Sequence, residues 1–192
     1  MNTANKLTIF RVLLIPLILW LMYSDFAWSA NAALAVFILA TITDWLDGYI
    51  ARRKNQITTF GKFMDPLADK LLVTAVLIAF VELGYLNGIP AIIIISREII
   101  VTGFRLVAAG ANKIIAASKL GKVKTVFQIT AITAILIMNS PILSIIGQNA
   151  LAVLTFTVGT LWLIWLMVAV TVVSGIDYIW KNRALLKVGV TK

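Results

Sequence analysis

"TVFQITAITAILIMNSPILSIIGQNALAVLTFTVGTLWLIWLMVAVTVVSGI", Thr125 to Ile176, runs for 52 residues without one charged side chain. A helix needs about 20 apolar residues to cross the hydrocarbon of a bilayer, so the stretch is long enough for two crossings. A backbone in lipid must satisfy its own hydrogen bonds, which leaves helices or a closed barrel. The apolar run is continuous rather than alternating, and that selects helices. The rest of the chain agrees. Of its 192 residues 61% are hydrophobic and 13% charged, where a soluble domain has about 45–50% and about 25%. Mean hydropathy is +0.99. The length fits one membrane domain, residues 1–192.

Outward from that stretch, the sequence predicts an all-α integral membrane protein with six transmembrane helices. The spans run about Val12 to Ser24 (extended upstream by Leu7 to Phe10), Phe26 to Tyr49, Pro66 to Val81, Ile89 to Ala111, Thr125 to Met138 and Ala150 to Asp177. Pro16 is a candidate kink in the first. Thr3, Asn5, Lys6, Thr8 and Arg11 make its start amphipathic enough for an N-terminal interfacial helical segment. A cleaved leader is the rival reading there, since Lys6 and Arg11 precede an apolar run and Ala30 to Ala32 has a small-x-small form. Asp25, Trp20 and Trp28 instead fit the interfacial anchors of a retained span.

With six spans, the basic residues fall on one side: Lys6, Arg52 to Lys54, Lys62, Lys113, Lys119 to Lys124 and Lys181 to Lys192. The loops near Asp25, Glu82 to Gly88 and Asn139 to Asn149 carry no Lys or Arg. That asymmetry predicts both termini and the basic loops on the cytoplasmic side of the cell membrane. It also assigns the net charge of +9 to loops facing anionic headgroups, with no nucleic-acid partner. There is no Cys and no His. Disulfides and thiolate or imidazole metal sites are excluded, and acid–base work falls to carboxylates, Lys, Tyr or water.

"DWLDGYIARRKNQITTFGKFMDPLAD", Asp44 to Asp69, follows eighteen uncharged residues and holds four of the eight acidic residues in the chain. On a helix Asp47, Gly48 and Ala51 lie three, four and seven residues from Asp44, so all four share one stripe. The small residues let a ligand or a neighbouring helix approach the backbone. Gly61, Asp65 and Asp69 are spaced i, i+4, i+8, and Pro66 suits the first turn of a helix. A helix–loop–helix could turn the two carboxylate pairs toward each other. Four such acids repel, and bound divalent cations relieve that repulsion. Oxygen-only ligands indicate Mg²⁺, Mn²⁺ or Ca²⁺ rather than Zn²⁺. Two metals reached from the cytoplasm suggest a substrate with a diphosphate. Capping, or pairing with Arg52, Arg53, Lys62 and Lys70, accounts for any one Asp taken alone.

The pattern D-x2-D-G-x2-A-R-x8-G-x3-D-x3-D, met here by Asp44, Asp47, Gly48, Ala51, Arg52, Gly61, Asp65 and Asp69, resembles the signature of the CDP-alcohol phosphotransferases. "NKLTIFRVLLIP", "GKFMDPLADKLL", "SREIIVTGFR" and "SKLGKVKTVFQ" extend the resemblance over the chain, toward members that use sn-glycerol 3-phosphate. The resemblance implies transfer of the phosphatidyl group of CDP-diacylglycerol to that acceptor, with release of CMP. It implies two divalent cations, Mg²⁺ or Mn²⁺, on Asp44, Asp47, Asp65 and Asp69, with Asp69 also the catalytic base. Gly48, Ala51, Arg52 and Gly61 would receive the nucleotide, bordered by Asn5 and Thr8. A homodimer among membrane lipids is implied as well. The acceptor's phosphate needs cations of its own, and the candidates are Arg105, then Lys122, Lys124 and Arg97. The rival for the arginines is a salt bridge with Glu98; for the lysines it is ordinary loop charge. Serine or inositol phosphate are alternative acceptors. Two other functions compete. Prenyltransferases have aspartate pairs at other spacings, and a cation transporter calls for acids near the bilayer midplane.

Overall fold

The computed structural model describes residues 3–54, 59–110, 119–143 and 150–183. Six helices account for nearly all of them: α1 (Thr3–Met22), α2 (Ser29–Lys54), α3 (Thr59–Glu82), α4 (Gly88–Gly110), α5 (Lys119–Met138) and α6 (Ala150–Lys181). There is no strand among the described residues, as the continuous apolar runs require. Leu120–Met138 and Ala150–Lys181 are each long and apolar enough to cross a membrane, and Leu7–Met22 and Ser29–Thr43 are shorter apolar helices.

Several helix ends lie beyond the expected spans. α2 continues five residues past Tyr49 to Lys54, and α3 begins at Thr59, seven residues before Pro66. Pro66 is therefore inside the helix, not in its first turn. α5 begins at Lys119 rather than Thr125, and α6 ends at Lys181 rather than Asp177. The cause is the same each time. Hydropathy marks where hydrocarbon ends, whereas a helix continues into polar surroundings while its backbone bonds are made. At the last of these ends Asp177 and Lys181 pair at 2.7 Å, one turn apart. α1 is one unbroken helix through Pro16, so the interfacial segment and the first span are a single element.

The chain forms two compact groups, residues 1–86 with 132–157, and residues 87–131 with 158–192. In the first, α1 packs against both α2 and α3. Each offers a buried row at helical spacing: Ile15, Ile18 and Met22 on α1, Ala33, Phe37 and Ala40 on α2, and Leu72, Val76, Ala79 and Phe80 on α3. The far end of α3 is closed by a Schellman turn. The Tyr85 amide donates to the Phe80 carbonyl at 2.8 Å and the Gly84 amide to the Val81 carbonyl at 3.2 Å. Gly84 holds φ at 74°, a conformation open to glycine, and the Tyr85 ring packs on Phe80 with centroids 6.1 Å apart. Just past α1, the Tyr23 hydroxyl donates to Glu82 at 2.5 Å. That hydrogen bond, with partial burial and the carboxylate's charge, raises the phenol above its ordinary value of 10.0. The protonated donor persists through neutral pH and is lost as pH rises past that raised value.

The second group is built from α4, the start of α5 and most of α6. On α6 the buried side is Thr160, Ile164, Met167, Val168, Thr171, Ser174, Gly175 and Tyr178. Its exposed side carries Leu161, Trp162, Trp165, Leu166, Val173 and Ile176, with Trp162 74% exposed. Hydroxyls inside and hydrocarbon outside is the reverse of a water-soluble helix and suits contact with lipid. α4 starts on an Asn87 cap, whose Oδ1 accepts from the Ile89 amide at 3.0 Å.

Phe80 is fully buried, so Phe80→Ala is expected to lower stability by about 3–5 kcal/mol. Thermal melting in detergent checks this, and a loss below about 1 kcal/mol would mean that the row is not a core.

Candidate active site

The buried rows of the first group turn polar at one end of each helix. On α1 the row Met22, Ile18, Ile15 continues to Arg11 and Thr8, both with no exposed surface. On α2 the row Ala33, Phe37, Ala40 continues by helical register to positions 44, 47 and 51. On α3 the row Phe80, Val76, Leu72 continues back through buried Ala68 to positions 69 and 65. The helical backbone thus puts Asp44, Asp47, Gly48 and Ala51 on one stripe and Gly61, Asp65 and Asp69 on another, in line with faces used for packing. The side chains at 44–67 and at 69, like that of Asn5, lie outside the described residues.

The depths of the two carboxylate pairs also match. Asp47 stands seven residues before the end of α2, and Asp65 six after the start of α3; Asp44 and Asp69 each stand ten from those ends. At about 1.5 Å per residue the inner pair is about 9–11 Å and the outer pair about 15 Å from the link. Only four residues separate Lys54 from Thr59, a link short enough for consecutive helices to run antiparallel. The acids are two to three turns inside their helices.

Arg11 is the residue that sequence reading passed over. It looks like one charge among several at an interfacial helix start. Its spacing with Thr8, Ile15, Ile18 and Met22 marks it as inward, and a charge on an inward row within an apolar run is a functional signal.

The second group gathers its polar residues in one cluster. Glu98 Oε1 on α4 accepts from Arg97 Nη1 at 3.0 Å and from Lys124 Nζ on α5 at 2.5 Å. Lys124 also donates to Gln128 Oε1 one turn on. Arg97 Nη2 donates to Ser174 Oγ on α6 at 3.1 Å. Lys124 is 3% exposed, Arg97 12% and Glu98 16%. Two of the four cations expected to hold a phosphate are therefore engaged with Glu98. The other two are exposed: Lys122, and Arg105, whose guanidinium stands 5.9 Å from the centre of the Tyr178 ring. Among the described residues neither makes an ion pair.

Comparison with known proteins follows the same lines. The family model for CDP-alcohol phosphatidyltransferase matches residues 1–173. A Bacillus subtilis protein named CDP-diacylglycerol–glycerol-3-phosphate 3-phosphatidyltransferase is 44% identical over 97% of this chain and 97% of its own. Proteins of the same name from Sodalis glossinidius and Rickettsia typhi are 40% and 34% identical, over 81% and 92% of this chain and 90% and 94% of theirs.

A Cβ built on Gly175 would stand 3.1 Å from Arg97 Cγ. Gly175→Val is expected to push Arg97 off Ser174 and Glu98 and to cost about 1–3 kcal/mol, read by thermal melting. Gly175→Ala should be milder, because the atom it meets belongs to a flexible side chain.

Proposed function

The chain belongs to the CDP-alcohol phosphatidyltransferase family, and from that membership we propose that it transfers the phosphatidyl group of CDP-diacylglycerol to sn-glycerol 3-phosphate, releasing CMP and forming phosphatidylglycerol phosphate. The observation that carries the reading is the placement of two aspartate pairs at matching depths on rows otherwise given to packing. Carboxylates on such rows weaken a core, so they are there to hold something.

Asp44, Asp47, Asp65 and Asp69 supply only carboxylate oxygens, a donor set that fits two Mg²⁺ or Mn²⁺ ions. When bound, the ions draw negative charge from the phosphates and the departing CMP. Asp69 also takes the proton from the acceptor's primary hydroxyl. The freed oxygen bonds to the β-phosphorus, the bond to the bridging oxygen breaks, and CMP leaves with the electron pair. Gly48, Ala51 and Gly61 leave room for the nucleotide, Arg52 holds its phosphates, and Asn5 and Thr8 border it. Arg11 offsets part of the aspartates' charge. Arg105 and Lys122 hold the acceptor's phosphate, together with Arg97 and Lys124 of the Glu98 cluster.

The one-sided basic residues and the outward apolar faces support six crossings of the cell membrane, with both termini and the active site toward the cytoplasm. The protein acts there as a homodimer.

Purified protein in detergent, given CDP-diacylglycerol, is expected to release CMP with glycerol 3-phosphate and Mg²⁺ or Mn²⁺, and not with serine or inositol phosphate. Asp69→Asn should lower the rate at least about 100-fold while the protein stays folded. Release with another acceptor would overturn the substrate, and release without metal would overturn the role given to the aspartates. Because the chain has no Cys, orientation can be read with single cysteines and an impermeant maleimide on spheroplasts. Asp25→Cys should label from outside and Arg183→Cys only after lysis; the reverse pattern would invert the topology.

A further inference from the structure

The outer side of α6 ends in two residues that the proposed reaction does not use, Trp180 and Arg183. Trp165, Val172, Val173 and Ile176 carry an exposed apolar face along the helix, and Ile176 is the last residue of the charge-free run. Trp180 follows one turn on and is 66% exposed. Arg183 is exposed too, and its guanidinium lies 4.8 Å from the centre of the Trp180 ring. At 1.5 Å per residue Trp180 stands about 6 Å past the end of the charge-free run. A headgroup layer is about 5–8 Å deep on each side of the hydrocarbon, so the ring and the cation on it lie at headgroup depth.

The neighbouring charges leave Arg183 to a partner from outside. Lys181 is matched with Asp177 at 2.7 Å. Among the described residues Arg183 makes no ion pair, and none accepts from the Trp180 indole N–H. An arginine that only sought water would extend away from the hydrocarbon. This one is held against an aromatic face, which leaves the N–H edge of its guanidinium open to oxygen acceptors. A guanidinium edge beside an indole N–H, at the end of an apolar stripe, matches a phosphodiester above acyl chains. With Asp177 already paired, the last turn has no carboxylate left for the amine of a zwitterionic headgroup, so the match is to a lipid of net negative charge. We propose that Trp180 and Arg183 form a docking site for the headgroup of an anionic phospholipid of the surrounding bilayer. The guanidinium and the indole N–H take the phosphate oxygens, and the stripe below takes the upper acyl chain. This rests on the lipid-facing reading of α6 given above.

The test titrates purified protein in a neutral detergent with phosphatidylglycerol or phosphatidylcholine carrying brominated acyl chains, and reads quenching of tryptophan fluorescence. The difference between wild type and Trp180→Phe isolates the Trp180 signal. Phosphatidylglycerol should quench it at a mole fraction about fivefold or more lower than phosphatidylcholine. Arg183→Gln should abolish that preference, and Arg183→Lys, which keeps the charge but not the flat stacked face, should retain part of it. Replacing the ion pair together, Asp177→Asn with Lys181→Gln, keeps the net charge and should leave the preference unchanged. Equal quenching by the two lipids in wild type would overturn the proposal, as would a preference that survives Arg183→Gln or is lost with the ion pair. Inorganic phosphate should not raise the melting temperature; a rise that Arg183→Gln abolishes would make this a site for free anions and overturn the lipid. The readout does not use CMP release, so a failure of the proposed reaction leaves the lipid preference to decide this site by itself.

Discussion

Among the described residues, buried charge gathers on the faces that the helices turn toward each other. On α6 the exposed side is Leu, Val, Ile and Trp, and the hydroxyls of Thr160, Thr171 and Ser174 are all buried. A charge on the outer side would sit in hydrocarbon unpaired, at a cost of several kcal/mol. Within each compact group, polar chemistry is therefore drawn inward and must find partners there. In the second group Glu98 accepts from Arg97 and Lys124, Ser174 from Arg97 and Gln128 from Lys124. In the first, Arg11 and Thr8 share the inward register of the aspartates. The rows on α1, α2 and α3 are each apolar at one end and carry polar residues at the other.

This division also assigns the work of stability. Phe37, Phe80, Ile18 and Val76 hold the apolar ends of α1, α2 and α3 together, so the polar ends need not contribute. The Schellman turn at Gly84 and the Asn87 cap satisfy the helix ends between α3 and α4. Gly175 lets the Arg97 stem lie against α6.

The helices were legible because 3.6-residue periodicity and uninterrupted hydropathy are local properties. Their ends were not. Nothing in "ARRKNQITTFGKF" is apolar enough to announce that α2 reaches Lys54 or that α3 starts at Thr59, since backbone bonding outlasts hydrophobicity there. The aspartate stripes could be read from spacing alone, but their matching depth depends on those unseen ends. Glu98 was foreseen as a possible partner for Arg97. That it also takes Lys124, 26 residues away on another helix, is a tertiary fact with no local trace. Arg11 lay within reach of sequence reasoning, through its offsets of three, four, seven and eleven residues from Thr8, Ile15, Ile18 and Met22. It was hidden by the amphipathic look of its neighbours.

The Tyr23–Glu82 hydrogen bond joins the chain just past α1 to the last residue of α3, far along both helices from Arg11 and from positions 65 and 69. Two rods pinned at one end move like the arms of a clothes-peg. A small change of angle at the pin becomes a larger gap at the free tips. The pin here is charge-assisted and flanked in the chain by the Phe80–Tyr85 stack, so a change of angle between α1 and α3 would open the tips by more than it moves the pin.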